Sequence, residues 1–320
     1  MTSPFDLACP SAYRRWRDGK LACRPMQTSD LMVEVADPRA LQTCERQALL
    51  ARCASSNMAI YRSPVLAEDK NIVRLLASQL GLQRLDGNWL ADEDGISRIA
   101  VATHAGERAA FIPYTNRPIK WHTDGYYHPG TRQIRAMILH CVHQASHGGE
   151  TALMDHEVAY IAMRDANPEW VRALMAARTM IIPQRLDEDG IARPEQTGPV
   201  FSLDPQTGEL HMRYTARTRS VLWRDDSATR EAVAFLTQLL SSDSPHIFRL
   251  RLQPGMGLVC NNVLHDRAGF DDNADRARLL YRARYLDRIV KPSISEVSAK
   301  ATENLNKKAS NALLTGASSY

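Results

Sequence analysis

Two periods alternate along this chain. Apolar residues three and four positions apart mark amphipathic helices, and strict alternation marks strands with one buried face. The helical spacing predicts a helix over 38–53 through Leu41, Leu49 and Leu50. A second is predicted over 68–80, with Ile72, Leu75, Leu76 and Leu80 on one stripe and Gly81 as its stop. Between them, 58–61 reads as a short strand. The polar, turn-rich stretch 87–106 reads as a loop with a short strand at 99–103. Residues 135–142 form an apolar run of buried-strand length, and 148–154 re-enters the core after two glycines. Asp155 is a cap for a helix through Val158, Ile161 and Met163, and Pro168 opens another through Trp170, Val171 and Leu174. A long mobile connection is expected over 183–199. Strands at 200–203 and 210–214 flank a hairpin turn, a helix covers 229–240, and 246–252 alternates as a strand. The turn at 254–262 feeds a strand that delivers His265, and the polar tail beyond Pro292 is read as a terminal helix or a frayed end.

Chemistry enters at Trp121-His122-Thr123-Asp124-Gly125. In an extended segment alternate side chains share a face, so His122 and Asp124 present an imidazole and a carboxylate to one point. His265, on the later strand, is the candidate third ligand. Two histidines and one carboxylate, with positions left open on the metal, suit non-haem Fe(II), whereas all-nitrogen or thiolate sets suit zinc. The same parity turns Tyr126 inward and Tyr127 away. His140, His143 and His147 are read as structural or solvated, since the first two lie on opposite faces of one strand.

The alternation of 276–285 places Arg276, Arg278, Arg282 and Arg284 on one face of a strand otherwise rich in apolar residues. A guanidinium fork matches a carboxylate with two parallel charge-assisted hydrogen bonds, which makes Arg278 a candidate anion ligand. Arg276 and Arg284 are read instead as an exposed face paired with acids such as Asp271, Asp272, Asp275 and Asp287.

Composition narrows the partners. The 320 residues carry a net charge of +4, and the six cysteines show no C-x-x-C pair. Mild basicity spread along the chain fits an anionic small molecule better than nucleic acid, and the cysteines give no structural zinc site. Charged residues interrupt the first 27 positions, and no run approaches a membrane span, so a cytoplasmic protein is expected. The sequence is compatible with a homo-oligomer.

In order, His122-x-Asp124, Gly148-Gly149-Glu150-Thr151, His265, Arg278 and Arg282 resemble the TauD/TfdA branch of the Fe(II)- and 2-oxoglutarate-dependent dioxygenases, over about residues 57–288. The resemblance implies a mainly β fold, a double-stranded β-helix (jelly-roll) barrel with flanking helices. It implies one domain spanning 1–320, with an N-terminal scaffold to 106 outside the barrel, a barrel core over 107–290 and a tail from 291. It further implies iron on His122, Asp124 and His265, and cosubstrate carboxylates on Thr151 and Arg278, with Arg282 contacting the anionic end of cosubstrate or substrate. The implied reaction converts 2-oxoglutarate and O2 to succinate and CO2 while hydroxylating a small charged metabolite. Related halogenases lack the carboxylate that Asp124 supplies, which favours hydroxylation. Tyr114-Thr115-Asn116 resembles the gamma-butyrobetaine hydroxylase group, in which the matching tyrosine helps form a cage for a quaternary ammonium. Here 95–101 contains no aromatic residue, and the N-terminal zinc module of that group is missing. Thr215 to Arg219 resembles a substrate-side segment of the same branch, with Arg213 and Arg217 as candidate partners for an acidic substrate group. Two other classes use similar residues: a cupin-type isomerase or hydrolase, which needs no arginine strand after His265, and a metal-free binding barrel, in which the three ligands only pack.

Overall fold

A computed structural model describes residues 3–87, 92–102, 111–187, 190–272 and 277–289. Two β-sheets organise it. The larger contains, in spatial order, Met32–Glu34, Met58–Arg62, Met256–Cys260, Ala136–His143, Leu279–Tyr285 and Ser97–Ile99. Its first two strands are parallel and the rest antiparallel. The smaller runs Phe248–Leu250, Thr151–Met154, Leu264–Arg267, Ile119–His122, all antiparallel.

Period-two alternation sorts the side chains into layers. Met58, Ile60, Met137, Cys141, Leu258 and Cys260 point inward from the large sheet and meet Leu153, Val263 and Phe248. Their neighbours Ala59, Tyr61, Ile138 and Val259 point outward and are covered by Leu49, Leu50 and Leu76 of the helices Thr43–Ser56 and Asn71–Gln79. On the small sheet, Ala152, Met154 and Leu264 face out instead, against His156–Ala166, Pro168–Leu174 and Ser227–Ser241. This is the expected jelly roll of two facing sheets with helices outside. Asp155 caps its helix by accepting from the Glu157 amide, and Asn167 does the same for the helix opened by Pro168.

Some expectations change. The first 106 residues are not a scaffold beside the barrel, because Met32–Glu34, Met58–Arg62 and Ser97–Ile99 are strands of the large sheet. The pattern marks short strands at 58–61 and near 99, but not the sheet they join. Within the connection 183–199, Arg185–Asp187 pairs with Gly190–Arg193, and Gln196–Gly198 pairs with Met180–Ile182. The N-terminal helix Pro10–Ala22 was not foreseen. Buried Lys20 anchors it between Asp155 and Glu157, and the Arg164 guanidinium stacks 3.9 Å above the Tyr13 ring. The strand predicted at 99–103 lies at Ser97–Ile99, and residue 103, Arg276 and the tail from 291 fall outside the described residues. Among the described residues no helix is long and apolar enough to cross a membrane.

His140 is fully buried, stacked on Tyr61 with its Nδ1 2.8 Å from the tyrosine hydroxyl. His143 points to the other side and His147 is exposed, in keeping with structural or solvated roles for all three. Burial depresses the His140 pKa to about 4. The unfolded chain, with a pKa of about 6.5, therefore binds the proton first, and the stability gained from a neutral His140 is lost as pH falls from about 6.5 to about 4. His140→Gln should flatten the pH dependence of the unfolding free energy there by up to one proton, about 1.4 kcal/mol per pH unit. Urea unfolding at several pH values checks this, and an unaltered slope would assign the proton elsewhere.

Candidate active site

The small sheet brings the candidate ligands together. His265 pairs directly with His122 across adjacent strands, and their ring centroids are 4.2 Å apart. Ligating atoms of His122, Asp124 and His265 all lie within 4.8 Å of one another. Each imidazole Nδ1 sits 2.9 Å from a backbone carbonyl, of Lys120 and Val263 respectively. A carbonyl only accepts, so each Nδ1 carries the proton and each Nε2 keeps its lone pair for a metal. Burial and the neighbouring His265 push the His122 pKa down to about 3, which keeps that lone pair free.

Asp124 is held through its backbone. The Asn262 side chain accepts from the Asp124 amide at 2.7 Å and donates to the Asp124 and Ile134 carbonyls at 2.9 and 2.7 Å. Burial pushes the Asp124 carboxyl up, but Arg282 and Arg284 outweigh it and hold the group well below the usual carboxylate range. Arg282 donates to Oδ1 at 3.3 Å, while Oδ2 is buried with no hydrogen-bond partner among the described residues. Such an orphaned oxygen fits a metal ligand.

Three guanidiniums continue the site. Arg267, Arg278 and Arg282 each bury one N–H that has no partner among the described residues. Burial, then repulsion from Arg278 and Arg282, depresses the Arg267 pKa to about 9. Arg278 lies 5.0 Å from the Phe270 ring centroid and packs beside Gly149, whose positive φ gives the strand its turn. Thr151 is buried at the start of its strand. Clustered cations with spare donors call for an anion, and a dicarboxylate fits.

A cavity of about 850 Å³ opens onto this centre. Tyr114, Tyr126 and Arg217 line it. Asn116 is exposed and absent from the lining, and its carbonyl accepts from the Phe270 amide. Arg213 is a correction: it is buried and donates to the carbonyls of Tyr126, Met180 and Gln196, tying the wall together rather than meeting a substrate. Tyr127 is another, since it lines the cavity with Tyr126. The extended parity ends at Asp124, where Gly125 turns the chain at φ +67° and a Cβ would strike Ile134. Arg284 is a third. It is buried on Asp86 and the Tyr127 hydroxyl rather than exposed beside the nearby aspartates.

Asn262, Arg267 and Asp86 carry no signal in sequence spacing, because their roles arise from contacts distant in the chain. Asn262 also holds a left-handed backbone at φ +51°. Asn262→Ala removes three buried hydrogen bonds and should cost about 2–4 kcal/mol in urea unfolding. It should weaken Fe(II) binding as well, and wild-type affinity for the metal would show that the Asp124 backbone needs no such hold.

The family described as "Taurine catabolism dioxygenase TauD, TfdA family" matches residues 68–284. A uridine-5'-phosphate dioxygenase from Amycolatopsis sp is 33% identical over 174 residues, 52% of this chain and 60% of the relative, so the chain spans about three-fifths of that relative's length. One from Streptomyces sp is 29% identical over 201 residues, 61% of this chain and 71% of the relative. In fold, the chain is similar to an asparagine oxygenase solved with Fe(II), hydroxyasparagine and succinate (14% identity, TM-score 0.54, covering 80% of this chain and 93% of that one). It is also similar to the non-heme iron oxygenase OrfP solved with Fe, succinate and dihydroxyarginine (16%, 0.57, 79% and 82%). With two thirds of its length matched and a buried His-Asp-His cluster at the edge of a jelly roll, the chain belongs to the TauD/TfdA family.

Proposed function

We propose that the chain is an Fe(II)- and 2-oxoglutarate-dependent oxygenase that hydroxylates a small anionic metabolite, a phosphomonoester in the first instance. The observation that carries this reading is the convergence of ligand atoms of His122, Asp124 and His265 within 4.8 Å of one another, with one Asp124 oxygen orphaned and arginines with unused donors beside them. His122, Asp124 and His265 would hold iron, and Arg278 with Thr151 would hold the cosubstrate carboxylates. Arg282, already on Asp124, would steady the ligand and face the anionic end of whatever binds next to it. When bound, iron and 2-oxoglutarate supply the oxidising chemistry, and the protein supplies position and exclusion of water. An isomerase or hydrolase on the same barrel would leave the buried arginine donors without a purpose.

Charge supports the substrate class. The cavity lining includes Lys120, Arg132, Arg185, Arg193, Arg217, Arg219, Arg282 and Arg284, and among the described residues Asp124 is its one carboxylate. Lys120 lies on the strand that carries His122, and Arg217 lies beside it. His122 bridges to Thr215, and the Ala216 amide donates to the Trp121 carbonyl, which brings 217 alongside 120. The curated relatives are named for uridine 5'-phosphate, and such a group would satisfy cations at this rim.

Anaerobic titration with Fe(II) and 2-oxoglutarate should give the visible charge-transfer absorption of a bidentate keto acid on iron. Asp124→Ala should abolish it, and Arg278→Ala should retain iron while weakening 2-oxoglutarate at least roughly thirtyfold, the loss expected when a buried charge pair is broken. Bound iron without the band would exclude 2-oxoglutarate as cosubstrate. In succinate-release assays with uridine 5'-phosphate, Arg217→Ala should raise KM roughly tenfold or more with kcat little changed, the value of a charge-assisted hydrogen bond. An unchanged KM would remove Arg217 from the anion site.

A further inference from the structure

At the wall of the cavity formed by Tyr127, three groups form a chain that the family residues do not include. Arg284 Nη1 donates to the Tyr127 hydroxyl oxygen at 2.9 Å, and Nη2 donates to Asp86 at 2.6 Å. The Asp86 side chain is fully enclosed and also accepts from Arg132 at 2.8 Å, and its own amide donates to the Arg284 carbonyl at 2.8 Å. Arg284 is 4% exposed, whereas Tyr127 lines the open cavity beside Tyr126 at 5.2 Å between ring centroids.

A phenol oxygen accepts and donates. Here the guanidinium beneath the wall occupies an acceptor position, so the hydroxyl cannot turn to donate in that direction, because arginine accepts nothing. The Tyr127 proton has no hydrogen-bond acceptor among the described residues and is left for the cavity. A hydrogen bond from a cation onto the same oxygen draws electron density from the O–H and strengthens it as a donor. The enclosed Asp86 carboxylate neutralises the arginine, which allows a full cation to sit under a cavity wall.

We propose that Tyr127 donates a hydrogen bond to an uncharged oxygen acceptor of the substrate, a carbonyl or hydroxyl away from its anionic group, and that Arg284, fixed by Asp86, is the positioning residue that aims it. This rests on the reading that the substrate occupies this cavity. Tyr127 would then hold the substrate at a point separate from the Lys120 and Arg217 rim, so that two anchors set its orientation over the metal.

The test uses the Fe(II)- and 2-oxoglutarate-loaded enzyme without oxygen, with uridine 5'-phosphate as probe, followed by turnover in air. Tyr127→Phe should leave iron and 2-oxoglutarate titrations at wild-type values, raise the probe Kd about tenfold, and lower the product formed per succinate released. Arg284→Lys keeps a cation for Asp86 but loses the fork that spans both partners, and should shift Kd in the same direction. The double variant should be no weaker than Tyr127→Phe, because both changes remove one interaction. A Tyr127→Phe Kd within twofold of wild type overturns the proposal, as do additive effects in the double variant. Failure of the wild-type enzyme to bind the probe would instead overturn the substrate reading, and the proposal with it.

Discussion

The centre of this protein depends on burying one negative charge. Asp124 sits in the interior beside two imidazoles, and a carboxylate taken out of water is stable there only if its environment answers it. The answer comes in two kinds. Arg282 and Arg284 supply positive charge from the neighbouring sheet, and Asn262 fixes the backbone on both sides of the residue. One carboxylate oxygen is left unanswered among the described residues. An oxygen left free in this way is available to a ligand from outside the protein.

The same logic extends outward. Arg267 spans the carbonyls of Pro113 and Thr115, Arg213 spans three more around the cavity wall, and Arg284 joins Asp86 to Tyr127. These guanidiniums do the work of additional secondary structure, stitching irregular segments to the sheets. Because each is a cation, the stitching also charges the cavity, and an anionic ligand is the natural complement.

Much of this was legible in the sequence. His122, Asp124 and His265 could be picked out because a strand's period of two places the first pair on one face, and the glycines at 148 and 149 announced the turn before Thr151. The cap at Asp155 and the helix start at Pro168 were equally plain. What escaped was whatever depended on where a strand stopped. Parity carried past Gly125 put Tyr127 on the wrong side, and it could not show that the face bearing Arg284 is covered by the segment at Asp86. Arg213 looked like a substrate ligand because a lone arginine gives no hint that three carbonyls await it. The strand at 32–34 is three residues long, too short for any period to show, and the one at 97–99 was read as starting two residues late.

The pairing of His122 opposite His265 has a thermodynamic corollary. The two residues become neighbours only when the strands that carry them, far apart in sequence, dock in register. The unfolded chain offers no equivalent site, so an ion gripped there is a ligand of the folded state alone, and its binding free energy adds to the cohesion of the small sheet. At a hundredfold excess over its dissociation constant that linkage amounts to about 2.7 kcal/mol, a sizeable fraction of the stability of an ordinary domain.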